Sequence, residues 1–357
     1  RRSLLSSRWE EKEPPQSHPP MHIIATIWKK PYNPAHVQAM IDAGVDALRV
    51  KCSHDSAEEI AQTLSLVRKQ ITASGKNIDL IVDLPEAKLR LGRFPQERIK
   101  ISEGQEFRFL YGQLSSDPLA YVPFVTENLA DNLRVGEKFF VQDGNLQFEV
   151  TAIHSPNEFI AKSCHGGELV QSSAISITDM ADKLNHIVPF IDEMLAKLPA
   201  SKPEMIAFSF IKSRAMLQEL IDKLKKHTTN NWNPRILAKI ESKEGIDNID
   251  EILDLVFGIM VARGDLALTT PFETLGLSQK YLVSKARKQG KYCVVATGTL
   301  TSMLSQALPA RSDILDITNS CLDGASAIML CNETAHHKNP GKVIETAKKI
   351  INAVESY

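Results

Sequence analysis

Residues 235–265 read RILAKIESKEGIDNIDEILDLVFGIMVARGD. An apolar run at 235–240, a stretch with apolar side chains near 3.6 spacing and a second apolar run at 256–261 make the strand–helix–strand rhythm of a parallel βα protein. Working outward, the same rhythm gives candidate strands at 22–27 (HIIATI), 46–50 (DALRV), 79–84 (DLIVDL), 205–209 (MIAFS), 292–296 (YCVVA) and 326–330 (SAIML). Together these are eight strands, the number that closes a (β/α)8 TIM barrel, and the fold class is α/β. Between the third and fourth strands the helical rhythm stops. Residues 93–177 carry β-rich runs and turn dipeptides at Asp143-Gly144 and Gly166-Gly167, which predicts an inserted β domain. The expected organisation is a flexible segment at 1–20, a first part of the barrel at 21–92, the insertion at 93–177 and the rest of the barrel at 178–357. Helical periodicity returns at about 181 (DKLNHIVPFIDEMLAKL) and continues to 340–356, which leaves no residues for a third domain.

The bulk numbers narrow the function classes. Of 357 residues, 43% are hydrophobic and 24% charged, as in a soluble globular protein, and the formal net charge of −1 gives no electrostatic reason to expect nucleic acid or an anionic membrane as partner. Five cysteines, at 52, 164, 293, 321 and 331, form no C-x-x-C pair and no Cys/His ligand spacing, which argues against structural zinc or a disulfide framework. With no run of about 18 apolar residues and no apolar signal core in the first twenty, the expected location is the cytoplasm.

In a (β/α)8 barrel the chemistry sits at the carboxyl ends of the strands. Six strands end here on polar residues: Arg49 on the second, Asp83 on the third, Lys239 and Glu241 on the fifth, Arg263-Gly264-Asp265 after the sixth, Thr297 after the seventh and Glu333 after the eighth. Glu241 and Asp265, on adjacent strands, suit a hard divalent cation such as Mg2+ bound through oxygen, with positions left open for a keto acid or phosphate. Lys239 suits neutralisation of a phosphoryl group or an enolate oxygen. Arg49 and Arg90 suit gripping of an anion. Gly264 lets a ligand approach the backbone, whose N–H groups at 263–265 suit a carboxylate.

The runs Ile236-Leu237-Ala238-Lys239-Ile240-Glu241, Gly258 through Ala262-Arg263-Gly264-Asp265-Leu266, and Leu322-Asp323-Gly324-Ala325 through Glu333-Thr334-Ala335 resemble the pyruvate kinase family. The resemblance runs from about 21 to 356 and takes in Val141-Gln142-Asp143-Gly144, Ser209-Phe210-Ile211, Ala296-Thr297 and Arg49 with Ser53-His54. It implies a glycolytic phosphotransferase moving phosphoryl between phosphoenolpyruvate and ADP with Mg2+ or Mn2+. On that resemblance Lys239 stabilises the transferring group, Glu241 and Asp265 bind the metal, Thr297 lies beside the enolate carbon and Arg49 grips phosphate. Ala262, Arg263 and Gly264 join the substrate-binding set, Arg90 and Glu333 serve nucleotide or phosphate, and the insertion acts as a lid. Asp83 and Ser53 match positions that help hold K+. The family's C-terminal regulatory domain is expected to be absent, and a monomer or homodimer is expected.

The departures from the family pattern cluster in two places. Lys51 stands where the family has Asn, and Lys88 where it has the Glu that accompanies K+ dependence, which predicts a K+-independent site. On the nucleotide side, Thr26-Ile27-Trp28-Lys29, Asp83-Leu84-Pro85-Glu86-Ala87, Gln171-Ser172-Ser173-Ala174 and Cys331-Asn332 each replace a family segment and lose charge or glycine, and Thr297-Gly298 stands where the family has Thr-Gln. Two alternatives stand beside a pyruvate kinase. One is a divergent metal enzyme that enolises, decarboxylates or phosphorylates another 2-keto or enol acid. The other is a non-catalytic binding protein on the same scaffold.

Overall fold

The computed structural model describes residues 20–27, 32–52, 56–85, 89–142, 144–177 and 188–356. Eight parallel strands close into a barrel, in chain order His22–Thr26, Ala47–Lys51, Asp79–Leu84, Met205–Phe208, Arg235–Ile240, Gly258–Ala262, Tyr292–Ala296 and Ala327–Leu330. Each pairs with its neighbours in sequence order, and the eighth returns to the first with His22 opposite Ala327. All eight expected strands are present, with ends displaced by at most two residues. The sixth starts at Gly258 rather than 256, where the Tyr292 carbonyl passes so close that a Cβ would clash with it.

Strand periodicity of two sorts the core into two shells. Ile24, Ala47, Ile81, Ala207, Leu237, Met260, Val294 and Met329 fill the barrel interior. Ile23, Leu48, Leu80, Ile206, Ala238, Ile259, Val295 and Ile328 point outward and pack under the helices. The same alternation fixes the mouth. Two residues beyond an interior side chain come Thr26, Arg49, Asp83, Ser209, Lys239 and Cys331, so polar groups cap a dry interior.

Residues between the third and fourth barrel strands build a second, barrel-like sheet of seven strands, in the order Leu89–Arg90, Ala174–Ile177, Lys138–Val141, Leu146–Ser155, Glu158–Ser163, Glu106–Tyr111 and Val122–Phe124. Its two ends meet: Gly92 N donates to Pro123 O at 2.7 Å and Val125 N to Arg90 O at 3.1 Å. Only glycine fits that seam, because a Cβ on Gly92 would lie 2.8 Å from two carbonyl oxygens. Phenylalanines fill the centre, with Phe109 stacked on Phe159 at 4.9 Å and edge-on to Phe139 and Phe148. Such pairs add about 0.5–1.5 kcal/mol each beyond burial. The sheet touches the barrel at Gly144, whose φ of +94° and lack of a side chain let it lie against Leu268 in the helix Arg263–Thr269.

Of the helix expected from 181, the described part is Val188–Lys197, and residues 178–187 lie outside the described residues. Among the described residues no helix is long and apolar enough to cross a membrane.

Candidate active site

Lys239 is the centre of the mouth. Its Nζ donates to Ser209 Oγ at 2.8 Å and lies 3.1 Å from Asp83 Oδ1 and 3.2 Å from Glu241 Oε1, with only 7% of the residue exposed. Burial alone would push the ammonium towards neutrality, but the Asp83 and Glu241 carboxylates outweigh it and hold the Lys239 pKa above the ordinary lysine range. The pairing thus favours the charged form of Lys239.

Arg49 completes the cluster from the second strand. Its Nε and Nη2 donate to Asp83 Oδ2 at 2.8 and 2.5 Å, and its Nη1 donates to Thr26 Oγ1 at 2.9 Å. Asp83, 1% exposed, carries a desolvation penalty, but Lys239 and Arg49 overcome it and set its carboxyl well below the usual range. The Lys51 charge lowers it further.

Glu241 behaves in the opposite sense. One oxygen faces Lys239 and the other accepts the Phe210 N–H at 2.7 Å. Its pKa is nevertheless pushed up to about 7, first by burial and then by the negative charges of Asp265 and Asp83, against the pull of Lys239. Asp265 and Asp83 thus crowd negative charge beside Glu241, and that repulsion is part of what raises its pKa. Mutually repelling hard oxygen donors, Glu241 just beyond the fifth strand and Asp265 in the helix that follows the sixth, fit a divalent cation. Among the described residues no three His, Cys, Asp or Glu side chains gather as a ready-made metal cage.

Around this centre the structure distributes the other expected residues unevenly. Thr297 follows the seventh strand at a φ of +75°, a region that disfavours β-branched residues and costs on the order of 1–3 kcal/mol. Its Oγ1 lies 3.8 Å from Cys331 Sγ, which in turn lies 3.9 Å from Arg49 Nη1. Gly264 faces it: a Cβ there would sit 3.2 Å from Thr297 Cγ2. Ala262, buried, is the residue before the helix Arg263–Thr269, and no side chain caps that helix.

The Arg263 guanidinium is engaged within the protein, by Thr297 O, Thr299, Gln279 and Asp316. Glu333 is buried, with one oxygen accepting from Thr301 Oγ1 at 2.8 Å and the other from Cys331 N at 2.7 Å. Arg90 belongs to the second sheet and donates to Ser172 O at 3.2 Å. Ser53 and Lys88 lie outside the described residues.

Three contributors escaped the sequence reading. Thr26 anchors Arg49, and its position two residues beyond interior Ile24 was a usable signal. Ser209 appeared only within a motif, though its Oγ accepts the Lys239 ammonium hydrogen bond. Asp316 lies 53 residues from Arg263, and no spacing could have linked them.

Residues 19–344 match the family model for the pyruvate kinase barrel domain. The chain belongs to the pyruvate kinase family. It is 30% identical over 334 residues to the pyruvate kinase of Thermoplasma acidophilum, covering 93% of this chain and 58% of that protein. Against the pyruvate kinase of Thermococcus litoralis it is 29% identical over 335 residues, covering 94% of this chain and 70% of the relative. Against that of Mycobacterium tuberculosis it is 30% identical over 340 residues, covering 93% and 70%. The chain thus spans between 58% and 70% of the length of these relatives.

Proposed function

We propose that this chain transfers phosphoryl between phosphoenolpyruvate and ADP. The observation that carries the reading is the buried Lys239 ammonium, held by Asp83, Glu241 and Ser209 at the end of the fifth strand beside Arg49. In this reading Arg49 grips the phosphate, and Lys239 offsets charge as the P–O bond to the enol oxygen breaks and the P–O bond to ADP forms. The enolate left behind takes a proton at its methylene carbon, beside the Thr297 hydroxyl, to give pyruvate. Backbone N–H groups at 263–265 hold the carboxylate, and the inserted sheet closes over the mouth to exclude water. Glu241 and Asp265 would hold Mg2+ or Mn2+, which when bound supplies Lewis-acid polarisation of the acid and phosphate oxygens.

The metal reading has a pH consequence. Glu241 must lose its proton to accept a cation, so affinity for Mn2+, followed by electron paramagnetic resonance, falls by up to about tenfold per pH unit below 7 and levels off above it. Equal affinity at pH 6 and pH 8 would count against Glu241 as a ligand. The stability sign is the reverse. With a folded pKa above the unfolded one, the metal-free folded state binds the extra proton between about 4.3 and 7, and this group's stabilising contribution is lost as pH rises through that window.

Lys51 also bears on the monovalent cation. Its charge already helps to lower the Asp83 pKa, which is the service K+ would render there. With phosphoenolpyruvate, ADP and Mg2+ in a choline buffer, pyruvate release coupled to NADH oxidation should proceed, and added K+ should raise the rate by less than about twofold. A several-fold rise would overturn K+ independence, and no pyruvate at all would overturn the function.

One observation favours a second reading, a metal enzyme for a 2-keto or enol acid with another phosphoryl partner or none. Where the family carries its lysine–glycine run, Ser172 O accepts from Arg90, Gln171 Oε1 accepts from Phe94 N at 3.2 Å, and Ser173 Oγ donates to Val170 O at 2.7 Å. These groups are spent inside the inserted sheet rather than turned to a nucleotide.

A further inference from the structure

We infer that Asp316, on an outer helix, is a positioning residue for the reaction: through Arg263 it holds Thr297 in its left-handed backbone conformation and so aims the Thr297 hydroxyl into the mouth. The inference begins from a residue that has no intrinsic reason to be where it is. A threonine at a φ of +75° returns to negative φ unless its surroundings hold it.

Two contacts do so. On one side the Thr297 carbonyl accepts from Arg263 Nε at 2.8 Å and from Arg263 Nη2 at 2.5 Å. On the other the Thr297 methyl lies over Gly264, where any side chain would crowd it.

The Arg263 fork is itself fixed from outside the barrel. Asp316, in the helix Arg311–Asp323, takes Nη1 at 2.6 Å and Nη2 at 2.8 Å, the bidentate geometry that sets a guanidinium plane. Gln279 Oε1 at 3.2 Å and Thr299 Oγ1 at 3.1 Å fill the edges. Every nitrogen of Arg263 thus has a protein acceptor, and its side chain serves the backbone of the neighbouring strand end. The chain of contacts runs Asp316, Arg263, Thr297 O, and its far end is Thr297 Oγ1, which shares Cys331 Sγ as a neighbour with the phosphate-gripping Arg49.

The test is a pair of variants read by crystal structure and by kinetics. Asp316→Asn keeps the shape and removes the charge that fixes the fork. Arg263→Lys keeps the charge and removes the fork, and it stands in if the first variant does not fold. Wild type should show Thr297 at positive φ, and either variant should show it at negative φ with the hydroxyl displaced. A Thr297 that keeps its positive φ in the variants overturns the inference.

The kinetic arm rests on the phosphotransfer reading. There Asp316→Asn should lower kcat by about 10²-fold, as an ångström-scale misplacement does, while KM for the acid changes little. In a Thr297→Ala background, where the aimed hydroxyl is gone, the same substitution should lower kcat no further. Independent, multiplying effects on kcat overturn the inference, because a merely structural role would act equally in both backgrounds. If wild type turns over no phosphoenolpyruvate, the phosphotransfer reading fails, and the Thr297 φ alone decides the positioning role.

Discussion

Lys239→Met should lower phosphoryl transfer by about 10³-fold per folded molecule, because the side chain removed is a fixed charge in a water-poor mouth where one such group is worth roughly 10²–10³ in rate. In the proposed reading the loss is one of fixed charge, because the Asp83 and Glu241 carboxylates hold the Lys239 pKa above the ordinary lysine range. It also has a structural side: without the ammonium, Asp83 and Glu241 face each other buried and less compensated. Breaking a buried pair by deleting one partner costs about 3–5 kcal/mol, so turnover must be normalised to folded protein by circular dichroism. Lys239→Arg restores the charge without the compact ammonium and should recover stability more than rate. A Lys239→Met enzyme within tenfold of wild type would remove Lys239 from the reaction.

Asp83→Asn should show its effect chiefly as a loss of stability. Asp83 Oδ2 accepts two Arg49 donors and Oδ1 faces Lys239, and all three residues are nine-tenths buried or more. Removing that charge leaves buried Arg49 without its carboxylate and Lys239 with Glu241 as its remaining close carboxylate, and urea unfolding should show a loss of about 3–5 kcal/mol. The pH sign follows from its depressed pKa. The stability Asp83 contributes is full above the unfolded carboxyl pKa of about 3.9 and is lost as pH falls through the lower folded value. Wild type should therefore lose stability on acidification below about pH 4, and Asp83→Asn should lose less over the same range. An unchanged urea midpoint would contradict the role of Asp83 as the hub of the cluster.

Much of this was legible in the sequence because a barrel strand has a period of two and a known active end. Once 235–240 is a strand with Leu237 inward, Lys239 must face the mouth, and the same parity places Arg49 and Asp83. The inserted sheet was legible from the loss of helical rhythm, although its strand Leu89–Arg90 lies before the boundary expected at 93. That strand is too short and polar to announce itself.

What sequence could not supply was the direction in which a polar group spends its hydrogen bonds. Arg263 and Glu333 lie just beyond strand ends, and their side chains are turned away from Lys239 to other protein partners, Asp316 and Thr301 among them. Arg90 is likewise committed to Ser172. Asp316 and Gln279 lie on outer helices, and only the closed barrel brings them to Arg263.

The measurement that bears most directly on the site as a phosphotransfer centre is a single proton-NMR time course of wild type with phosphoenolpyruvate, ADP and Mg2+ in heavy water. It follows both halves of the site at once, phosphoryl arriving on nucleotide and deuterium entering the methyl group of pyruvate. The expected result is loss of the phosphoenolpyruvate vinyl signals with matching growth of ATP and of deuterated pyruvate. Vinyl signals that persist, with no deuterium entering added pyruvate, would contradict it.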